Sequence, residues 1–192
     1  GLVNNSVISL KYHYRSGLRI CSVADAILRD AINFKPIRGE CKYDESGRPS
    51  SVSINKCESL AGQFDLILTK LAAQIDLYPD ELLGVLFPKR DQVAAFEEAL
   101  DGTSSVLEKN RIRVETMHAA KGLEFRAVHI AGCEALYKMG AIQKRLAYTS
   151  ILRGKTSVNI YYTEKIPGYL ESAAAVLEPP KPAPNFEDLF GS

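Results

Sequence analysis

The chain has 192 residues, 46% of them hydrophobic, which is enough to bury the core of one α/β domain and too little for two of full size. Its net charge of +1 excludes a global field that draws the molecule to nucleic acid, so any such contact must come from a local patch. No apolar run approaches the roughly 20 residues of a membrane span and no signal-peptide pattern is present, so the sequence reads as a soluble, cytoplasmic protein with no membrane partner.

In chain order, Val7-Ile8-Ser9-Leu10 predicts a strand that runs into Lys11-Tyr12-His13-Tyr14-Arg15-Ser16. Leu18, Cys21, Ala24, Ile27 and Ala31 then recur at helical spacing. Cys41 to Pro49 has turn chemistry, and Val52 and Ile54 alternate beyond it, which predicts a peripheral hairpin without a site signal. Leu60, Phe64, Ile67, Leu68, Leu71 and Ile75 form the apolar face of a helix that Pro79 stops. Leu82 to Phe87 is a continuous apolar run of the kind a parallel sheet buries on both faces, and Arg90 to Leu100 reads as its crossover helix.

Arg111 to Glu115 alternates as a half-buried strand does, and Ala127 to Ala131 suits a central one. Between them Thr116-Met117-His118-Ala119-Ala120-Lys121-Gly122-Leu123-Glu124-Phe125 carries a hydroxyl, an imidazole, an ammonium and a carboxylate, with Gly122 suited to a positive φ. In open α/β sheets such a loop lies where strand ends and helix starts leave backbone groups free to meet an anion or a base. Ile142 to Lys155 predicts a helix with a late Arg153, followed by a strand over Val158 to Tyr162. A short helix over Tyr169 to Leu177 precedes Glu178 to Pro184, where prolines forbid regular structure. The tail ends in Asn185-Phe186-Glu187-Asp188-Leu189-Phe190, whose aromatics flank acids, a pattern that suits either a docking peptide for a protein partner or a plain disordered end. Cys21, Cys41, Cys57 and Cys133 show neither C-x-x-C spacing nor His companions, so reduced, mostly buried thiols are expected and no metal site.

The stretch Thr116 to Phe125, T-x-H-x-A-K-G-L-E-F, resembles motif V of the UvrD/Rep-type superfamily 1 helicases. His13-Tyr14-Arg15-Ser16 resembles motif IV of the same enzymes, usually N-Y-R-S, with His13 in place of Asn. Arg145, Leu146, Tyr148 and Arg153 fit motif VI, usually E-E-R-R-L-x-Y-V-x-x-T-R-A, while Ile142, Gln143, Leu152 and Gly154 depart from it. The leading acids and the Thr before the Arg are lost, which leaves open how motif VI is braced. Only Asp101 to Asn110 separates the crossover helix from motif V, where these helicases carry a large accessory insertion, so the chain resembles their compact branch.

The resemblance implies the second RecA-like domain of such a helicase: an α/β, three-layer fold with a mostly parallel central sheet over residues 1–166, a short C-terminal helix over 167–178 and a flexible, disordered tail over 179–192. The sequence holds no G-x-x-x-x-G-K-[ST] loop and no strand ending in paired acids for Mg²⁺. In the family those parts belong to an N-terminal RecA-like domain, which binds most of ATP and Mg²⁺, and the nucleotide lies in the cleft between the domains. By the same resemblance Tyr14 stacks on the adenine, Arg15 and Arg153 act on the γ-phosphate, and Gly122 and Glu124 join the ATP site, Glu124 accepting from the ribose. Thr116 and His118 touch single-stranded DNA, and Lys89 and Arg90, at the end of their strand, either contact its phosphates or merely cap the strand. The activity so implied is that of an ATP-dependent DNA helicase, 3′ to 5′, to which this chain contributes without turning over ATP alone. The alternative is a helicase-like binding domain of a nuclease or repair assembly with no motor role, which the altered motif VI favours.

Overall fold

The computed structural model describes residues 13, 15–103 and 108–177. The strand expected at Val7 to Leu10, the side chain of Tyr14 and the tail with Phe186 to Phe190 lie outside them. The described residues form a three-layer α/β domain around five parallel strands in the order β1-β5-β4-β2-β3. These are β1 (Ser51–Lys56), β2 (Leu83–Phe87), β3 (Ile112–Thr116), β4 (Phe125–Ile130) and β5 (Gly154–Tyr162). Helices α2 (Leu60–Leu77) and α3 (Arg90–Asp101) cover one face, and α1 (Leu18–Leu28), α4 (Gln143–Ile151) and α5 (Gly168–Ala174) cover the other.

The alternation of side chains along a strand splits the core in two. Leu83, Val85 and Phe87 point to Phe64, Ile67, Leu71 and Phe96 of α2 and α3. Leu86, Val128, Ile130, Val158 and Ile160 meet Ile20, Val23, Ala24 and Ile27 of α1, Leu146 and Ile151 of α4, and Leu170 and Ala173 of α5. The C-terminal helix is therefore part of the main core. Position 84 faces the second layer and is a glycine there, where a Cβ would come within 2.5 Å of the Phe125 ring. Ser59 starts α2 by accepting a hydrogen bond from the Gly62 amide at 3.0 Å, which satisfies one of the free donors of the first turn.

The hairpin expected around Val52 and Ile54 is absent. The turn at 45–47 exists, but the chain leaves it to become a single edge strand, in which Val52 pairs with Val158 and Ile54 with Ile160 of β5. Local alternation cannot reveal a partner so far along the chain, and β5 supplies the apolar neighbours that a hairpin mate would have offered. On the opposite edge, β3 is half-exposed as its alternation predicts, and β4 is the central strand.

Polar groups are buried within the central strands, His129 of β4 and its neighbour Asn159 of β5 among them. His129 is fully enclosed, with Nδ1 2.8 Å from the Tyr161 hydroxyl and Nε2 2.8 Å from Gln74 Oε1. An amide oxygen only accepts, so Nε2 carries the proton and Nδ1 accepts from Tyr161. Burial, aided by the nearby Lys70 ammonium, pushes the imidazole down to about 3.

Candidate functional site

Parallel pairing brings Arg15, Glu124 and Arg153 to one edge of the sheet. The Phe125 amide donates to the Arg153 carbonyl at 2.9 Å where β4 and β5 begin, which sets Glu124 beside Arg153. The Gly17 amide donates to the Lys155 carbonyl at 2.9 Å, which brings the loop of Arg15 to the same place. Glu45 fixes that loop from behind, since its carboxylate accepts from the Leu18 amide at 2.6 Å, at the start of α1, and from the Ser50 hydroxyl at 2.6 Å. Burial opposes its charge, yet the hydrogen bonds from Ser50 and Leu18 and the nearby Arg19 hold its carboxyl below the usual range.

Arg15 meets Glu124 at 2.8 Å, and Lys155 stands 3.7 Å from the other oxygen of the same carboxylate. Arg153 donates from Nε to the Thr149 carbonyl at 3.0 Å and from Nη1 to the Leu123 carbonyl at 3.3 Å. Two backbone carbonyls thus brace Arg153. Burial and the closeness of Arg15 weaken the hold of Arg153 on its proton, partly offset by Glu124. Two cations, Arg15 and Lys155, therefore pair with one carboxylate, and Arg153 stands close enough to feel both Arg15 and Glu124. The Arg15 and Glu124 side chains are 48% and 35% exposed, and pairs so exposed contribute only about 0–1 kcal/mol. Stability does not account for the cluster, whereas a surplus of fixed positive charge suits an anion such as a phosphate.

The edge is the one at which the strands begin, whereas open parallel sheets usually hold ligands where strands end. The segment Thr116 to Phe125 links the two edges. Thr116 lies level with Phe87 at the end of β2, and Phe125 opens β4 at the opposite side. Along this crossover Met117 and Ala120 are buried in the layer of α1 and α4. Its turn is held by the Ala119 amide donating to Thr116 Oγ1 at 3.1 Å, the Ala120 amide to the Thr116 carbonyl at 3.0 Å, and a φ of 91° at Gly122. Such a φ favours glycine.

His118, Lys121 and Gly122 are exposed on this turn, and among the described residues no side-chain bond ties down His118 or Lys121. Among the described residues the His118 ring makes no hydrogen bond that would hold the turn. His118, Lys121, Thr149 and Arg153, with Met117, Ala120 and Leu146, line a cavity of about 310 Å³ between the crossover and α4. Residues expected to serve nucleic acid and nucleotide thus share one depression. Lys89 and Arg90 are exposed where β2 ends and α3 begins, and Lys89 makes no side-chain cap. A larger cavity, about 730 Å³ and mostly apolar, lies against α1, Phe34, Pro36 and Leu177 and contains none of the expected site residues.

Sequence reasoning missed Lys155 and Glu45, because only strand register places the first and only the long return from the 45–47 turn places the second. It also denied the cysteines a histidine companion, yet the fold brings His13 Nε2 to 3.8 Å from the Cys21 sulfur.

No protein-family model matches the chain, and no curated protein does. Among solved structures, the crystal structure of the C-terminal domain of a possible DNA helicase from Lactobacillus plantarum WCFS1 is similar, with a TM-score of 0.58 at 16% identity over 84% of this chain and 94% of that one. At that identity the two chains share a fold.

Proposed function

We propose that the chain is the second RecA-like motor domain of a compact, UvrD-like superfamily 1 helicase, which completes an ATP site and grips single-stranded DNA. The observation that carries this reading is the meeting of Arg15, Glu124 and Arg153, drawn from three separate motif-like segments, at one exposed edge. The fold shared with the C-terminal domain of a possible DNA helicase supports it. Phosphoryl transfer needs positive charge where the transferred and leaving oxygens gain negative charge, and an arginine fixed on a facing domain provides it without acting as a base. Arg153, oriented by two carbonyls, and Arg15, oriented by Glu124, are built for that task. Glu124 would release Arg15 to the phosphate and turn to the ribose. ATP and Mg²⁺ would be held mainly by the facing domain, and Tyr14 would stack on the adenine. His118, which shares a depression with Arg153, would meet the strand together with Thr116, Lys89 and Arg90.

The test is reconstitution. Purified residues 1–192 should release no phosphate from ATP, and should stimulate hydrolysis, in a DNA-dependent manner, when joined to a RecA-like domain with a phosphate loop encoded by the same gene. Turnover by the chain alone, or no stimulation in the joined protein, would overturn the motor reading. DNA binding without any stimulation would favour the non-motor binding domain.

A further inference from the structure

The fold assembles a ligand set that spacing conceals. His13, Cys21 and Cys41 come from the segment before α1, from α1 itself, and from the chain just past the 3-10 turn Arg38–Glu40, and their ligand atoms all lie within 4.8 Å of one another. Backbone bonds hold these segments in register. The His13 amide donates to the Glu40 carbonyl at 3.0 Å and the Lys42 amide to the His13 carbonyl at 2.8 Å, so His13 and Cys41 stand opposite each other in a short parallel bridge. From α1, Asp25 accepts from the Ile37 and Arg38 amides at 3.0 and 2.8 Å, which fixes the loop that delivers Cys41. Both sulfurs face the Ser16 carbonyl oxygen, Cys21 at 3.5 Å and Cys41 at 3.3 Å.

The geometry points to a zinc site formed by His13 Nε2, Cys21 Sγ and Cys41 Sγ, with the fourth position taken by the Ser16 carbonyl oxygen or a water bound to it. A tetrahedral ion with Zn–S about 2.3 Å and Zn–N about 2.0 Å sets sulfur and nitrogen about 3.5 Å apart. The 3.8 Å between His13 Nε2 and Cys21 Sγ is already close to that value. Two thiolates with an imidazole form a set that favours thiophilic d¹⁰ ions over Mg²⁺ or Ca²⁺. Binding replaces existing hydrogen bonds: Nε2 gives up its contact with the Ile37 carbonyl, now at 3.1 Å, its proton moves to Nδ1, and both thiol protons pass to solvent. Cys21 is buried while His13 and Cys41 are half-buried, so the ion has a route in. The site would clamp the backbone on both sides of Arg15, at His13 and at Ser16. It stands independently of the helicase reading.

The experiment uses the whole chain, reduced and freed of metal, titrated with Zn²⁺ against a chromophoric chelator and separately with Co²⁺. The expected result is uptake of one equivalent, a tetrahedral cobalt spectrum with thiolate charge-transfer bands, and a melting temperature that rises with zinc. Cys41→Ser and His13→Asn should each weaken binding by more than the roughly 10- to 100-fold that losing an outer-shell partner costs. Both side chains are half-buried, so these variants should fold even where Cys21→Ser does not, and Cys57→Ser should bind as the parent does. Absence of stoichiometric uptake, uptake that survives Cys41→Ser and His13→Asn, or a Cys21–Cys41 disulfide in air from a chain that takes no metal once reduced would each overturn the site.

Discussion

Arg153 has Nε and Nη1 committed to backbone carbonyls, which leaves its second terminal nitrogen without a partner among the described residues. An arginine held so firmly in a partly desolvated place costs little to organise when an anion arrives. In a protein that carries the facing phosphate-loop domain, Arg153→Ala and Arg15→Ala should each lower ATP turnover by roughly 10³-fold, the scale of an arginine finger. Steady-state phosphate release checks this, and near-normal turnover in either variant would remove that residue from the γ-phosphate. Arg153→Lys should restore little, because a point charge reproduces neither the two braces nor the planar fork. His118 differs in kind. Its ring is exposed while Thr116 and Gly122 shape the turn, so His118→Ala should leave the melting temperature within about a degree and weaken single-strand affinity. Anisotropy at fixed salt, with calorimetry of the same sample, separates the two effects. A lower melting point with unchanged affinity would make His118 a structural residue.

Among the elements, β2 is the most tightly enclosed, buried along its whole length with β4 and β3 on its flanks. Gly84→Ala should push the Phe125 ring out of place and cost about 1–3 kcal/mol, which urea or thermal unfolding would read as a lowered midpoint. An unchanged midpoint would mean that the ring rotates freely out of the way. Elements of this kind are legible in sequence. The apolar run of β2, the helical spacing of Phe64, Ile67, Leu71 and Ile75, and the stop at Pro79 each follow from local pattern. The edge strand β1 is not legible in that way, because Val52 and Ile54 are satisfied by β5 rather than by a nearby mate. The site divides likewise: the dense chemistry between Thr116 and Phe125 stands out in the sequence, and motif resemblance marks Arg15 and Arg153. Lys155 and Glu45 gain meaning only through strand register and a capped helix start. The His13, Cys21 and Cys41 group is invisible for the same reason, its members lying on segments that only the fold brings together.

For the whole molecule, the acid limb of stability should be steep. His129 is neutral when folded, with its imidazole pushed down to about 3 from an ordinary 6.5. Below 6.5 the unfolded chain takes up a proton that the folded one refuses, so stability is complete above that pH and falls by about 1.4 kcal/mol per unit toward pH 3. Urea unfolding at pH 7 and pH 5 measures the slope. His129→Gln, though less stable at pH 7, should show a shallower loss over that range. An equal slope in both proteins would place the acid sensitivity elsewhere.

The crossover between β3 and β4 has a mechanical corollary. Thr116 is level with Phe87 and Ala127 with Leu83, so its ends are offset along the strand axis by the rise of at least four residues, about 13 Å. Met117 and Ala120 rivet its first half to the layer beneath, and the Leu123 amide is tied back to the Ala120 carbonyl at 3.1 Å. The segment is thus anchored at both ends and along its first half, so in the motor proposed above it would be the covalent path between a strand held at His118 and a nucleotide held at Glu124.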